Sequence, residues 1–239
     1  MNPPLLILGM HRSGTSCLAG GLECAGLYLG KVNTSAGFNK KGNRENEPIR
    51  DLHDEVLASG KFQWDNPPPE PLDWNPEQRS RLKSLTAELA AQPHWGVKDP
   101  RTVFCLKGWN ELFTPSYVAT FRHPLAVARS LASRAQKWGQ EMPETKAFDL
   151  WCAYNRQILD ATNDTGTPFI RYDQPAAHYL QALEKLADML FLNPEKIKEF
   201  HSPELRNQDA STEPIPAICR QVWDELTERE MQACSPALE

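Results

Sequence analysis

The apolar positions of this chain fall into short unbroken runs that alternate with longer stretches of helical spacing. Pro4-Leu5-Leu6-Ile7-Leu8 is apolar on both faces and stops at Gly9, the pattern of a strand buried inside a parallel sheet. The next stretch, Thr15 to Ala25, reads as a helix ended by Gly26. Ile49, Leu52, Val56 and Leu57 share one helical face and stop at Gly60, and Asn75-Pro76 supplies a cap and first turn for a helix bearing Leu82, Leu85 and Leu89. Further along, the pattern predicts strands at 94–98, 117–121 and 168–172, and helices around 103–113, 124–135, 148–161 and 175–190. Strand and helix alternate throughout. We therefore expect a single α/β domain over residues 1–239, a mostly parallel sheet with helices on both faces, and short helices on a rim from about 194 to 239.

Two segments break this rhythm. Residues 30–46 are polar and glycine-containing and read as an exposed loop, whereas Phe62 to Pro76, with five prolines and two tryptophans, reads as an irregular loop packed over the fold.

Composition narrows the partners. With 26 Lys and Arg against 31 Asp and Glu the net charge is −5, so no overall basic field draws the chain to nucleic acid or anionic lipid, and a bound anion must be met by a few placed cations. No run approaches the roughly 18 apolar residues of a membrane span. Pro3 to Met10 runs directly into His11-Arg12-Ser13 and has no basic leader, so it is not read as a signal peptide and a cytoplasmic location is expected. Six cysteines, at 17, 24, 105, 152, 219 and 234, form no CxxC pair, which argues against a zinc site and for reduced thiols that mostly fill the core.

The chemistry concentrates where strands end. Gly9-Met10-His11-Arg12-Ser13-Gly14-Thr15-Ser16 joins the first strand to the first helix, where backbone N–H groups favour a phosphate. Its spacing, G-x-x-x-x-G-T-S, is that of a phosphate-binding P-loop with threonine in the lysine position and Arg12 inside the loop. A nucleotide kinase relies on that lysine and on Mg²⁺, so Thr15 speaks against ATP chemistry. Phe121-Arg122-His123-Pro124 ends another strand, with Ser130 eight residues after Arg122 on the helix that Pro124 opens, so the two can converge on one anion.

In these residues the chain resembles sulfotransferases that use 3′-phosphoadenosine 5′-phosphosulfate (PAPS), of the small soluble bacterial type. Residues 9–16 are similar to that family's 5′-phosphosulfate loop, which would make His11, Arg12, Ser13, Gly14, Thr15 and Ser16 cofactor-binding. Segment 121–131, with Arg122 and Ser130, is similar to its 3′-phosphate site. Trp95-Gly96-Val97-Lys98-Asp99-Pro100-Arg101 resembles the K-D-P segment of bacterial and tyrosylprotein-type members, Lys41-Gly42-Asn43-Arg44-Glu45-Asn46 their P-K-G-x-x-E-N loop, and Arg171-Tyr172-Asp173 their R-Y-E-D strand end. The chain departs at His123, where Asp is common, at Lys40, which replaces the proline, and in having no C-terminal R-K-G loop, for which Arg206 is a substitute to consider.

The resemblance implies metal-independent transfer from PAPS, leaving PAP, to a hydroxyl or amine of a carbohydrate, lipid or small metabolite. Arg12, then Lys98, would stabilise the leaving oxygen. Glu45 would be the general base, with Glu47, His11 and His53 as runners-up. Asp99 and Arg101 would hold the site together, and Trp64, Trp74 and Trp138 could stack on an acceptor. A P-loop kinase and a non-catalytic nucleotide-binding protein are the competing readings.

Overall fold

The computed structural model describes residues 2–35, 40–201 and 212–234, the side chains of 231–234 excepted. Arg206 lies outside the described residues. Four strands, β1 (Leu5–Leu8), β2 (Gly96–Lys98), β3 (Ser116–Phe121) and β4 (Phe169–Arg171), form one sheet in the order β2-β1-β3-β4, with every pairing parallel. The unbroken apolar run of β1 has its reason in this arrangement. Leu6 and Leu8 belong to the core on one face and Leu5 and Ile7 to the core on the other, so neither face tolerates a polar side chain.

Helices α1 (Thr15–Cys24), α7 (Ala176–Met189) and α8 (Ile197–Phe200) cover one face. The other carries α2 (Glu47–Ser59), α3 (Pro76–Thr86), α4 (Leu106–Leu112), α5 (Pro124–Lys137), α6 (Glu144–Ala161) and α9 (Arg220–Cys234). Among the described residues no helix is long and apolar enough to cross a membrane.

Most expected elements are present, and four expectations need correction. The helix around 103–113 is split into a 3₁₀ segment, Pro100–Cys105, followed by α4, because Asp99 caps the tighter turn by accepting from the Arg101 N–H. The rim holds a helix of 15 residues, α9, which lies on α6 and β4 through Val222 and Leu226. Loop 30–46 is not simply exposed: Gly42 and Glu45 are buried, and Leu29 just before it belongs to the core. Trp74 is buried against Gly108, where a Cβ would overlap its indole, so it cannot meet an acceptor.

Parallel strands present all their C-terminal ends along one edge, and ligands of open α/β sheets bind in the crevice where the strand order reverses. Here β1 sits between β2 and β3, so the residues after β1 are flanked by those that follow both neighbours. The second half of loop 30–46 is brought to that edge by the start of α2. Asn46 caps it, its side chain accepting from the Ile49 N–H at 3.3 Å, with Pro48 in the first turn.

Because this cap fixes the junction between Glu45 and α2, Asn46→Ala should cost about 0.5–2 kcal/mol, a fall in Tm of roughly 2–4 °C per kcal/mol. Asn46→Ser, which restores a cap, should recover most of it. Thermal unfolding of both variants checks this, and equal loss in the two would show that the side chain does not act as a cap.

Candidate active site

The loop after β1 adopts a conformation that its glycines permit. Gly14 has φ +89° at the N-cap of α1, and a Cβ there would overlap the ring of Tyr172. At Gly9 a Cβ would come within 2.7 Å of the Thr120 carbonyl oxygen on β3. Arg12 itself takes φ +68°, a left-handed conformation unusual for a side chain of its size. No side chain caps α1, which leaves its N-terminal backbone N–H groups to other partners.

This backbone drives Arg12 toward the neighbouring strand end. Its Nε donates to Ser130 Oγ at 2.8 Å, and Arg122 Nη1 donates to the Arg12 carbonyl oxygen at 3.3 Å. Arg12, Arg122 and Ser130, spread over nearly 120 residues of sequence, thus form one group. Burial, and then the charges of Arg134 and Arg122, pull the Arg12 guanidinium down to about 10. It remains a cation at neutral pH, in a place that disfavours one until an anion arrives. Arg122 also lies 5.2 Å from the Tyr172 ring centroid, so the chain after β4 closes the same group from the far side.

On the other flank Lys98, the last residue of β2, is buried and donates from Nζ to Glu45 Oε1 at 2.8 Å and to the Asn43 carbonyl oxygen at 2.9 Å. Lys98 pairs with Glu45 and not with its chain neighbour Asp99. Successive residues of an extended strand point to opposite faces, so Asp99 turns away to His53 and Arg101. Burial would raise the Asp99 carboxyl, but the Arg101 charge and the His53 hydrogen bond outweigh it and hold it below the usual carboxylate range. Arg101 completes the cluster by donating to Asp54 at 2.6 Å and Asp99 at 2.8 Å.

The two histidines considered as bases differ from a free imidazole in different ways. His53 is fully buried, with Nδ1 2.7 Å from Asp99 Oδ2 and Nε2 accepting from Trp109 Nε1–H at 2.9 Å. Since Nε2 accepts, the ring proton sits on Nδ1 and both nitrogens are engaged in the core. His11 is buried edge-on to Trp64 and Tyr154. Burial, then Arg101 and Arg134, hold it well below its ordinary value, so a proton transferred to it would not be retained. Glu47 is exposed at the first position of α2 and pairs at 3.6 Å with Arg50.

A cleft of about 520 Å³ runs across these groups. His11, Arg12, Thr15, Ser16, Glu45 and Lys98 line it, whereas Ser13, Gly14, Arg122 and Ser130 are not among its lining residues. The Ser13 hydroxyl is fully buried, so this residue can serve a ligand only through its backbone. Ser16 Oγ donates to the Asn43 carbonyl oxygen at 3.0 Å, tying the 40–46 segment to α1. Of the tryptophans, Trp64 and Trp138 line the cleft, the latter 68% exposed at its mouth.

Two contributors were missed in the sequence. Arg134 lines the cleft with its guanidinium 4.8 Å from the Trp64 ring centroid, and it was within reach of inspection, being four residues after Ser130 on the same face of α5. The Asn43 carbonyl, which joins Ser16 to Lys98, left no trace in residue identity because it acts through its backbone.

No protein-family model matches the sequence, and no curated protein matches it. Among the solved structures that match in three dimensions, two sulfotransferase domains do so along almost the whole of both chains. One is the sulfotransferase domain from the curacin biosynthetic pathway, with a TM-score of 0.56 at 16% identity, covering 95% of this chain and 98% of that one. The other is the sulfotransferase domain from the Synechococcus PCC 7002 olefin synthase, with a TM-score of 0.55 at 18% identity, covering 98% of this chain and 96% of that one. At this identity the likeness is one of fold: the chain has the α/β architecture of sulfotransferase domains.

Proposed function

We propose that this protein is a sulfotransferase that moves a sulfuryl group from PAPS to a hydroxyl or amine of a small-molecule or glycan acceptor held in the cleft. The observation that carries this reading is Arg12, half-buried at the cleft, lowered to about 10 by desolvation and like charge, and bonded to Ser130 while Arg122 holds its carbonyl. Like-charged guanidiniums gathered at an uncapped helix N-terminus suit a polyanion. Gly14, packed where a Cβ would meet Tyr172, keeps the loop backbone close enough to cradle one.

In this reading loop residues His11, Arg12, Ser13, Gly14, Thr15 and Ser16 hold the 5′-phosphosulfate end, and Arg122 with Ser130 holds the 3′-phosphate. When bound, PAPS supplies the activated sulfuryl group and PAP is what remains. Arg12 presents fixed charge toward the leaving oxygen, and Lys98 is the second such charge. Preorganised cations of this kind stabilise the transition state more than the ground state. Glu45 takes the acceptor proton. Its Oε1 is engaged with Lys98, which fixes the side chain, and a carboxylate has a second oxygen with which to act. Asp99, Arg101, Asp54 and His53 hold β2, the start of the 3₁₀ segment and α2 in register behind that pair.

PAP should raise Tm with EDTA present, and far more than AMP or sulfate does. At about 100 times its Kd the stabilisation should be roughly 2.7 kcal/mol, or about 5–10 °C for a chain of this size. A shift produced only by ATP with Mg²⁺ would replace this reading with the kinase. PAP binding without transfer to any acceptor in a screen with labelled PAPS would leave a nucleotide-binding protein.

Arg122→Ala should weaken PAP binding about tenfold to more than a hundredfold, as expected for loss of a charged hydrogen bond worth about 1.5–3 kcal/mol. It should also abolish most of the preference for PAP over AMP. Calorimetry on both ligands checks this, and an unchanged preference would remove Arg122 from the 3′-phosphate site.

Glu45→Gln keeps an oxygen for Lys98 and removes proton acceptance, so turnover with an acceptor from that screen should fall by about 10²- to 10⁴-fold while PAP affinity is nearly unchanged. Near-normal turnover in a variant that binds PAP normally would show that the base is elsewhere.

A further inference from the structure

Apart from the residues that line the cleft, and independent of what it binds, two thiols face each other between α6 and the turn before α9. Cys152 lies on α6 and Cys219 ends the 3₁₀ turn Ala217–Cys219 that leads into α9; they are 67 positions apart in sequence and their sulfurs are 3.7 Å apart. Cys152 Sγ is also 3.5 Å from the Ile218 carbonyl oxygen, so its thiol is seated on the turn. The pair is asymmetric in access. Cys219 is fully buried, Cys152 is only half-buried, and the neighbouring Ile218 is 59% exposed, so a small reagent can reach the first thiol and not the second.

We propose that Cys152 and Cys219 form a reversible disulfide that staples α6 to the start of α9. In an ordinary disulfide the sulfurs are about 2.05 Å apart, and here the two sulfurs already stand 3.7 Å apart, so closing the bond brings them about 1.7 Å nearer. The hydrogen bond with Cys219, and after it the charge of Arg156 one turn along, hold the Cys152 thiol below its ordinary value in spite of burial and of Asp149, while Cys219 is pushed up by its bond to Cys152 and by burial. Cys152, the thiol that an external reagent reaches, is the attacking sulfur.

With a low-molecular-weight disulfide as oxidant, the Cys152 thiolate attacks one of its sulfurs, forming a mixed disulfide and releasing one thiolate. Cys219 then loses its proton and attacks the Cys152 sulfur, expelling the second. Two protein thiols are oxidised, one external disulfide is reduced to two thiols, and no further electron carrier is needed.

The staple fixes a segment that already reaches the sheet edge. Six residues before Cys219, the Glu213 carbonyl oxygen accepts from His123 Nε2 at 3.0 Å and its carboxylate pairs with Arg129 at 2.5 Å, while Trp223 of α9 packs against Phe121 and His123.

The test is to incubate the whole protein with oxidised glutathione, alkylate the remaining thiols and map the peptides by mass. The expected product is a peptide pair joined through Cys152 and Cys219, lighter by two hydrogens. It should be reversed by dithiothreitol and accompanied by a rise in Tm of roughly 5–15 °C, as expected for cross-linking a long loop. In Cys219→Ser, Cys152 should instead accumulate as the glutathione adduct, and in Cys152→Ser no cross-link should form. A wild-type protein that keeps glutathione on Cys152 with Cys219 still open to alkylation, or that pairs either residue with another cysteine, would overturn the proposal.

Discussion

Like charges held close together are the constraint around which this structure is arranged. Arg12, Arg122 and Arg134 come from three different parts of the chain; burial, then the charges of Arg134 and Arg122, disfavour the Arg12 cation, and burial and Arg101 disfavour that of Arg134. Nothing local to any of them could hold such a group. It is held by the parallel sheet, whose adjacent strand ends are fixed by backbone pairing of β1 with β3, and by the left-handed turn at Arg12 that points its guanidinium at Ser130. A fold that keeps cations in repulsion stores free energy that an anionic ligand releases on binding, the usual relation between a binding site and the stability it lowers.

The other flank is stabilised in the opposite manner, by pairing. Lys98 and Glu45 are both buried, and two ions removed from water are tolerable only when each has the other and further hydrogen bonds besides. The Asn43 carbonyl supplies one of these to Lys98, and Ser16 bonds the same oxygen. The segment preceding α2 is thereby drawn onto the ends of β1 and β2, and a polar stretch becomes part of the interior. Behind it Asp99 is shared by His53 and Arg101, so the K-D-P strand end projects a cation to one side and anchors itself on the other.

The architecture was legible because its causes are local. An apolar run on both faces of β1, glycine at each end of α1, and the Asn75-Pro76 pair before α3 are patterns a backbone must obey wherever it is folded. Reading failed where neighbours outside the segment decide. Apolar spacing around 103–113 does not distinguish a 3₁₀ turn capped by Asp99 from an α-helix, and the polar composition of α9 hides its length.

At the site, motif and element boundaries are enough to put Arg12, Lys98 and Arg122 in the segments where strands end. The tertiary structure alone decided which of them meet. That Arg12 bonds Ser130, that Lys98 selects Glu45 over its chain neighbour Asp99, that Arg134 enters the cleft and that His53 is consumed by the core all depend on strand order and on burial. The physical reason is range: propensity and periodicity act over a few residues, whereas hydrogen bonding and desolvation act between whatever groups the sheet brings within a few ångströms, here from opposite halves of the chain.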